Sequence, residues 1–293
     1  MMNKLICCCL AWAFCYHPSF SQIKPAYQLY DSSGQSVAYD TMLQQLSQAD
    51  VILFGELHND ALNHWLELQV AQDLWKQDSN LVMGLEMLEA DNQLVLDEYL
   101  VGTIEERNFT DEAKLWGNYS TDYRPLVNFA QQHRLPVVAT NIPRRYASLV
   151  ARAGLTALDS LSAAAKAFIA PLPVVVDTAL PGYKNMLEMM GGGQDHGAMS
   201  GENMVSAQAI KDATMAYFIV ENLPDNGVFL HFNGAYHSDN FEGIYWYLKQ
   251  AQADLKIATI SSVSQEDIMR LGEEARGVAD FVLVIPADMT KTY

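Results

Sequence analysis

The chain has 293 residues, half of them hydrophobic and 18% charged, and its formal net charge at pH 7 is −17. This apolar content excludes a mainly disordered chain, and the length fits one large domain or two small ones with a sizeable core. The acidic balance argues against nucleic acid and anionic membrane surfaces as partners. No apolar run after the N-terminus approaches the roughly 18 residues of a membrane-spanning helix, so no transmembrane span is expected.

Residues 1–21 have the pattern of a signal peptide. Lys4 precedes an apolar stretch from Leu5 to Phe14. Ser19 and Ser21 then supply small residues at −3 and −1 of a cleavage site before Gln22. The sequence therefore predicts an exported, periplasmic protein with one domain over residues 22–293.

The cysteines all lie inside this N-terminal segment, at Cys7, Cys8, Cys9 and Cys15. A chain that begins at Gln22 has no thiol, which excludes a disulfide scaffold, a catalytic cysteine and a thiolate-held metal. Lipid attachment at Cys15 is disfavoured because the bulky Phe14 precedes it. Any metal ion or haem must then be held by His, Tyr, Met or carboxylate groups.

Short apolar runs alternate with helical patterns along the rest of the chain. A hairpin is predicted first, with strands at 27–31 and 35–39 around Ser32-Ser33-Gly34. The main strands are predicted at residues 51–54, 81–85, 137–140, 228–232, 257–260 and 281–285. Helices are predicted at 60–76, at 122–133 with Asp122 as N-cap, after Asn141 and Pro143, and at 203–222. This order predicts an α/β fold with a mostly parallel sheet flanked by helices.

One long connection interrupts this alternation, because about 87 residues separate the third main strand from the fourth. A single crossover helix needs far fewer residues. We therefore predict a helical insert or lid over about residues 155–222. Six methionines lie within about 30 residues of this insert, at Met186, Met189, Met190, Met199, Met204 and Met215.

Polar or ionisable side chains follow five predicted strands. These strand ends are Gly55-Glu56-Leu57-His58, Glu86, Asn141, the segment from Asn233 to His237, and Ser261-Ser262. Ligands of open parallel sheets bind beyond the carboxyl ends of the strands. The convergence of two carboxylates and two histidines at this edge predicts a functional site.

A divalent metal ion is one candidate ligand for this edge. Glu56 and His58 are two residues apart, so in an extended segment they point the same way and could share one ion. His64, Glu86 and His237 complete the candidate ligand set. His64 lies either on the first turns of its helix, facing the strand ends, or on a solvated helix face.

Two polar side chains could have a structural role instead of a ligand-binding one. Glu86 could instead pair with Arg144 or Arg145, which follow the third main strand. His231 lies inside an apolar strand, where a hydrogen-bonded core histidine is the ordinary finding.

Several short motifs, in this order, resemble the ChaN-type haem-binding lipoproteins. They are Gly55-Glu56-Leu57-His58 with His64 and Gln69, Gly84-Leu85-Glu86-Met87, Trp116 with Tyr119, Asn141-Ile142-Pro143-Arg144-Arg145, Gln208 with Asp212 and Met215-Ala216, and Asn233-Gly234-Ala235-Tyr236-His237. This family is grouped with Tiki and erythromycin-esterase-like proteins. The resemblance implies an α/β fold, export, a role in haem or iron uptake, and haem held between two protomers by a tyrosine. The lipoprotein cysteine is the expected feature that the sequence lacks.

The insert suits haem on its own chemistry, since flexible, polarizable methionines such as Met186 and Met190 fit a broad apolar ligand. Tyr183, His196 and Tyr146 are the candidate iron ligands. Arg144 and Arg145 at a helix start could pair with haem propionates. Alternatively, the methionines form the core of a small lid, and the arginines pair with Glu86 or Glu89.

Three functions remain open from the sequence. The first is a haem-binding protein for uptake, acting with a receptor or transporter that the sequence does not identify. The second is a metal-dependent hydrolase that uses Glu56, His58, Glu86 and His237, as the resemblance to Tiki and esterase proteins implies. The third is a non-catalytic interaction protein. A serine hydrolase is disfavoured because no Gly-x-Ser-x-Gly motif is present.

Overall fold

A computed structural model describes residues 24–189 and 200–293. Within these ranges the chain forms one seven-stranded sheet flanked by helices, which confirms the predicted α/β class. The strands are β1 (Gln28–Asp31), β2 (Val51–Glu56), β3 (Leu81–Glu89), β4 (Val137–Asn141), β5 (Val228–Gly234), β6 (Ile257–Gln265) and β7 (Phe281–Pro286). All six main strands that the sequence predicts are present, and each extends past its predicted carboxyl end.

The strand order across the sheet is β1-β7-β6-β2-β5-β3-β4, and only β1 runs antiparallel to its neighbour. The chain builds β2, β3 and β4 first and then returns to place β5 between β2 and β3. Glu56 at the end of β2 lies in register with Gly234 at the end of β5. The carboxyl ends of β2, β5 and β3 therefore lie side by side at the centre of one sheet edge.

Helices cover both faces of the sheet because the buried strands are apolar on both sides. Ile52 and Phe54 face a core that includes Leu66 of a flanking helix, whereas Val51 and Leu53 face the opposite core. The helices are α1 (Tyr39–Leu46), α2 (Ala61–Gln77), α3 (Gln93–Leu100), α4 (Glu106–Glu112), α5 (Arg124–His133), α6 (Arg144–Ala153), α7 (Ala163–Lys166), α8 (Pro181–Met189), α9 (Gly201–Glu221) and α10 (Ile244–Ala251). Within the described ranges, no helix combines the length and apolar character needed to cross a membrane.

Two local predictions are wrong in detail. The predicted second hairpin strand at 35–39 is absent, because only Ser36 pairs with Tyr30 and α1 already begins at Tyr39. The turn itself is present, and Gly34 adopts the left-handed φ of +84°. β1 finds its ladder partner in β7 instead. Asp122 is not the N-cap of α5; it lies in a π-helical turn, Tyr119–Tyr123, that precedes the helix.

The long connection between β4 and β5 contains helices, and its last one, α9, belongs to the sheet cover. Met215 and Ile219 of α9 pack against Val51 and Leu53. The described methionines do not share one pocket, since Met204 packs beside α6 and Met186 beside Tyr183. Met190 and Met199 lie outside the described residues.

His231 is a hydrogen-bonded histidine in the centre of the sheet. Its Nε2 lies 2.8 Å from the Thr140 hydroxyl, and its Nδ1 lies 3.0 Å from Asn233 Oδ1. The asparagine oxygen only accepts, so Nδ1 carries the proton and Nε2 accepts from Thr140. Burial lowers the pKa of His231 to about 4, and the ring is neutral at physiological pH.

The free energy of unfolding should therefore depend on His231 in acid. Unfolded His titrates near ~6.5, so the unfolded state takes up its proton first as the pH falls. The loss begins near the unfolded pKa and is complete below the folded pKa of about 4. It amounts to about 3 kcal/mol at the acid end.

Urea unfolding of His231→Gln measured across this pH range should show a shallower loss of stability than the wild type. The matched control is His133→Gln at the exposed end of α5, which should follow the wild-type curve. Parallel curves for His231→Gln and the wild type would contradict this assignment.

Candidate functional site

A cleft lies at the central sheet edge, where β2, β3 and β5 end. Its volume is about 410 Å³, and His58, Glu86, Trp116, Asn141 and His237 are among the residues that line it. We call it the inner cleft. Its position beyond the carboxyl ends of parallel strands is where ligands of open α/β sheets bind. The predicted convergence of strand-end side chains at this edge is thus found in the structure.

The first half of the inner cleft is a histidine–carboxylate pair. His58 Nδ1 lies 2.6 Å from Glu56 Oε1, and the Tyr123 hydroxyl donates to the same oxygen at 2.7 Å. The Glu56 side chain is fully buried, while the His58 side chain is 35% exposed. The Trp116 ring contacts the His58 ring edge-on at a centroid distance of 4.9 Å. These contacts fix the His58 ring, with one edge toward the cleft.

A glycine makes room for this histidine. A Cβ atom on Gly234 would lie 2.6 Å from His58 Nε2, closer than nonbonded atoms approach. The Gly234 backbone N–H also donates to Glu86 Oε2 at 2.7 Å. Gly234 therefore joins the two halves of the cleft: it accommodates His58 and holds Glu86.

The second half is centred on His237. Its Nε2 lies 3.2 Å from Glu86 Oε1, and its Nδ1 makes a short contact with Asp212 Oδ1. Asp212 is buried on α9 and also accepts a hydrogen bond from the Tyr183 hydroxyl at 2.7 Å. The sequence resemblance includes Asp212, but residue chemistry alone assigned it no role.

The two halves of the inner cleft differ in protonation. Burial lowers the pKa of His237, but the charges of Glu86 and Asp212 outweigh it and raise the pKa to about 10. Burial also opposes ionisation of Glu86, yet the His237 charge brings its pKa well below the usual range. At neutral pH His237 and Glu86 are therefore an imidazolium–carboxylate pair.

The Glu56–His58 pair titrates differently from the His237–Glu86 pair. Burial, together with the Glu67 charge, raises the pKa of Glu56 to about 8. Burial depresses the pKa of His58, but its hydrogen bond to Glu56 outweighs this and raises it. A proton is therefore held within the Glu56–His58 pair near neutral pH, where it is available for transfer or for orienting a ligand.

His64 faces the strand ends, as the first of the two predicted alternatives required. It is buried, with Nδ1 2.9 Å from Glu67 Oε2 and Nε2 3.1 Å from the His58 carbonyl oxygen. Sequence reasoning missed Glu67, which is also buried. Its position three residues after His64, on the same face of a helix, was the available signal.

A second, more open cleft adjoins the first and shares Glu89, Trp116, Arg144 and Ser148 with it. This outer cleft has a volume of about 980 Å³, and Lys114, Arg145 and Tyr293 also line it. The proposed ion pair of Arg144 or Arg145 with Glu86 or Glu89 is not found. Arg145 pairs with Asp91 instead, and Glu86 is occupied by His237.

The predicted haem ligands differ in accessibility. Tyr183 is 3% exposed and its hydroxyl is bonded to Asp212, so a haem would have to break that contact to reach it. Tyr146 is half-buried, and the Arg145 guanidinium lies 4.4 Å above its ring. Met186 is half-buried and packs beside Tyr183. His196 and Met190 lie outside the described residues.

The described C-terminal residues pack against the loop that follows β2. Lys291 Nζ lies 3.0 Å from Asp60 Oδ2, and the Thr292 backbone N–H donates to the Asn59 carbonyl oxygen at 2.9 Å. Asn118 donates to the His58 carbonyl oxygen at 2.9 Å. Contacts with Lys291, Thr292 and Asn118 thus hold the loop that carries His58.

Comparison with known proteins agrees with this architecture. A family described as "Haem-binding uptake, Tiki superfamily, ChaN" matches residues 42–248. The match places this α/β protein in the Tiki superfamily. Since the match spans most of the chain, the chain belongs to the ChaN haem-binding uptake family.

Similar solved structures include two that share the fold. ChaN of Campylobacter jejuni, whose structure shows cofacial heme binding, is 20% identical over 88% of this chain and 96% of its own, with a TM-score of 0.67. A Bacillus cereus protein is 10% identical over 89% and 95% of the two chains, with a TM-score of 0.50. An erythromycin esterase variant in its open conformation is 12% identical over 89% and 83%, with a TM-score of 0.45. No curated protein sequence matches this chain.

The close approach at Gly234 gives a testable consequence. In Gly234→Ala the new methyl group must displace the His58 ring, which Glu56 holds by a hydrogen bond. We expect a loss of about 1–3 kcal/mol in the free energy of unfolding, as for other overpacked sites. Urea unfolding measures it.

The matched control is Gly117→Ala, because no heavy atom lies within 4 Å of a Cβ at Gly117. Its stability should stay within about 0.5 kcal/mol of the wild type, as for ordinary surface changes. Equal stability of the two variants would show that His58 does not occupy the space above Gly234.

Proposed function

We propose that this chain binds haem where the inner and outer clefts join, and that it serves haem uptake outside the cytoplasm. The observation that carries the proposal is the joined cleft itself. Trp116 supplies a flat apolar wall, and Lys114 and Arg144 supply positive charge at the mouth. Membership of the haem-binding uptake family supports the same ligand.

The cleft suits a haem in two respects, its volume and its cationic side chains. Its two parts have volumes of about 410 and 980 Å³, which span the ordinary range of ligand sites. Lys114 and Arg144 suit the two propionates, since charge-assisted hydrogen bonds to carboxylates are strong. Haem supplies an iron centre, and the protein supplies its ligand, its orientation and its exclusion from water.

Tyr146 is our proposed iron ligand. It is half-buried on α6, directly after Arg145, which lines the outer cleft, and its hydroxyl is not bonded to a buried carboxylate as that of Tyr183 is. Arg145 Nη2 lies 3.2 Å from the Tyr146 hydroxyl oxygen. His58 is the competing ligand, because its Nδ1 contact with Glu56 is typical of a metal-bound histidine.

A hydrolase is the second candidate function, and one observation favours it. The inner cleft holds two histidines, each paired with a buried carboxylate, and the pairs differ in protonation. His237 is positioned to donate a proton or stabilise a developing negative charge. The Glu56–His58 pair is positioned to accept a proton from water. The chemistry of the cleft indicates no particular substrate.

Haemin titration with visible spectroscopy tests the haem proposal and its ligand. The wild type should give a high-spin ferric spectrum with one haemin per chain. Tyr146→Phe should weaken binding by about tenfold or more, equivalent to about 1.4 kcal/mol, and change the spectrum. Tyr183→Phe is the control, because it removes an equivalent hydroxyl that is bonded to Asp212.

Loss of the spectrum in Tyr183→Phe alone would contradict the assignment of Tyr146. A change confined to His58→Ala would assign the iron to the inner cleft instead. If haemin gives only the free-ligand spectrum while the protein hydrolyses a simple ester through His58, the hydrolase proposal replaces the haem proposal.

We further propose that the exported chain, beginning at Gln22, works as a homodimer without a lipid anchor. The N-terminal pattern and the Phe14 before Cys15 support the processing. Cofacial heme binding in the Campylobacter jejuni protein supports a dimer in which two haems meet. A haem in this open cleft would leave an apolar face exposed, which a second protomer would cover.

Sedimentation of the chain purified after export should show a monomer without haemin and a dimer with one haemin per chain. Salt should strengthen the dimer, because the acidic chains repel each other at low ionic strength. A monomer under both conditions at tens of micromolar protein would contradict the dimer. Fatty-acylated Cys15 in the mass spectrum would contradict the processing.

A further inference from the structure

A compact cluster of ionisable side chains lies beneath the floor of the inner cleft. Glu56, His64 and Glu67 are 2%, 5% and 0% exposed. One ligand atom from each lies within 4.8 Å of the other two. The three residues come from the end of β2 and from two neighbouring turns of α2, so the fold itself brings them together.

The hydrogen bonds of the two carboxylates leave one oxygen of each unused. Glu56 Oε1 meets both His58 and Tyr123, while Glu56 Oε2 has no hydrogen-bond partner. Glu67 Oε2 meets His64, while Glu67 Oε1 has no partner. Unpartnered carboxylate oxygens inside a protein are costly, so these two need a proton or a cation.

The orientation of His64 decides what the cluster can bind. Its Nε2 lies 3.1 Å from the His58 carbonyl oxygen, which can only accept, so Nε2 carries a proton. Its Nδ1 points to the carboxylates, 2.9 Å from Glu67 Oε2 and 3.6 Å from Glu56 Oε2. A ring N–H donated to a backbone carbonyl, with the other nitrogen directed at carboxylates, is the usual setting of a metal-binding histidine.

No basic side chain neutralises the cluster within the described ranges. The ion pairs of Glu56 and Glu67 involve only His58 and His64. The nearby Lys291 pairs with Asp60 instead. Two buried carboxylates therefore face one imidazole without a lysine or arginine.

We propose that Glu56, His64 and Glu67 bind one divalent transition-metal ion, such as Zn²⁺ or Mn²⁺. Imidazole and carboxylate groups are ordinary ligands of these ions. With bonds of about 2.1 Å, tetrahedral ligand atoms lie about 3.4 Å apart. The distances from His64 Nδ1 to the two carboxylates, 2.9 and 3.6 Å, lie on either side of this value. This site is distinct from the haem iron, and it differs from the set of ligands that strand-end reasoning predicted, which omitted Glu67.

The bound ion would also matter for the cleft above it. Glu56 would present Oε2 to the ion and Oε1 to His58, so one carboxylate would connect the two sites. The ion would fix the plane of that carboxylate and, through it, the His58 ring. Tyr123 completes this arrangement from the buried side, by its hydrogen bond to Oε1 and by ring contact with His64.

Calorimetric titration of haem-free, chelator-treated protein with Zn²⁺ tests the proposal independently of haem. We expect one ion per chain. Glu67→Gln should weaken binding by at least roughly 100-fold, because it removes a ligand rather than a supporting contact. Glu86→Gln is the matched comparison: it neutralises an equally buried carboxylate of the inner cleft and should leave the affinity within about threefold.

Tyr123→Phe should give an intermediate effect, roughly 10–100-fold weaker binding, as expected for a group that only supports a ligand. X-ray absorption of the zinc-loaded wild type should show nitrogen and oxygen ligands at about 2.0–2.2 Å. Thermal unfolding needs no variant: Zn²⁺ should raise the Tm of the wild type, and a chelator should reverse this.

Absence of stoichiometric binding by the wild type would overturn the proposal. So would zinc affinity that is lost in Glu86→Gln but kept in Glu67→Gln, since that result would place the ion in the inner cleft. If Glu67→Gln does not fold, the chelator-reversible Tm shift still shows whether the wild type binds the ion, and the affinity of Glu86→Gln still decides between the two sites.

Discussion

The burial of Glu56 and Glu86 at one edge of the sheet is the constraint on which the site depends. Both carboxylates leave the ends of central strands inside the protein, where an uncompensated charge is strongly destabilising. Glu56 is compensated by His58 and Tyr123, and Glu86 by His237 and a backbone N–H. Each histidine is thereby held at the floor of the inner cleft in one orientation.

These pairings also account for features of the surrounding fold. α9 is long and buried because it both covers the sheet and brings Asp212 to the far side of His237. The loop after β2 is fixed by Asn118 and by the described C-terminal residues, which hold the backbone around His58. α9 thus positions His237, and the loop contacts position His58.

The outer cleft differs from the inner cleft in chemistry. Lys114, Arg144 and Arg145 lie at its wall, and Lys114 and Arg145 form ion pairs with Glu89 and Asp91. These three cations and two carboxylates leave a local net charge of +1 (3 − 2) in a protein with a net charge of −17. An anionic ligand would be attracted here, whereas the floor of the inner cleft is built from carboxylate–histidine pairs. Haem, with its propionates at one edge and iron at its centre, matches both parts.

Much of the fold could be predicted from the sequence, because strands buried on both faces appear as short apolar runs such as Val51 to Phe54. The strand-end rule then located Glu56, Glu86 and His237. Contacts between elements that are distant in the chain have no comparable sequence pattern. Arg145 pairs with Asp91 rather than with Glu86 because α6 lies beside the turn after β3, a tertiary relation that no local pattern encodes.

The predicted iron ligands show the same limit of prediction from local sequence. Tyr183 lies in the same segment as several methionines, and the sequence therefore predicts it as an iron ligand. Its burial against Asp212 arises from the packing of α8 on α9 and could not be read from composition. Glu67, in contrast, could have been predicted from the sequence. It follows His64 by three residues on one helix, and the packing of α2 on the sheet buries that face of the helix.

Anomalous diffraction at the iron edge from crystals of the haemin complex would locate the haem iron in the protein. One iron peak per chain is expected at the junction of the inner and outer clefts, beside Tyr146 and with the propionates near Lys114 and Arg144. An iron peak beside the buried Tyr183, or anywhere outside the joined cleft, would contradict this placement of the haem.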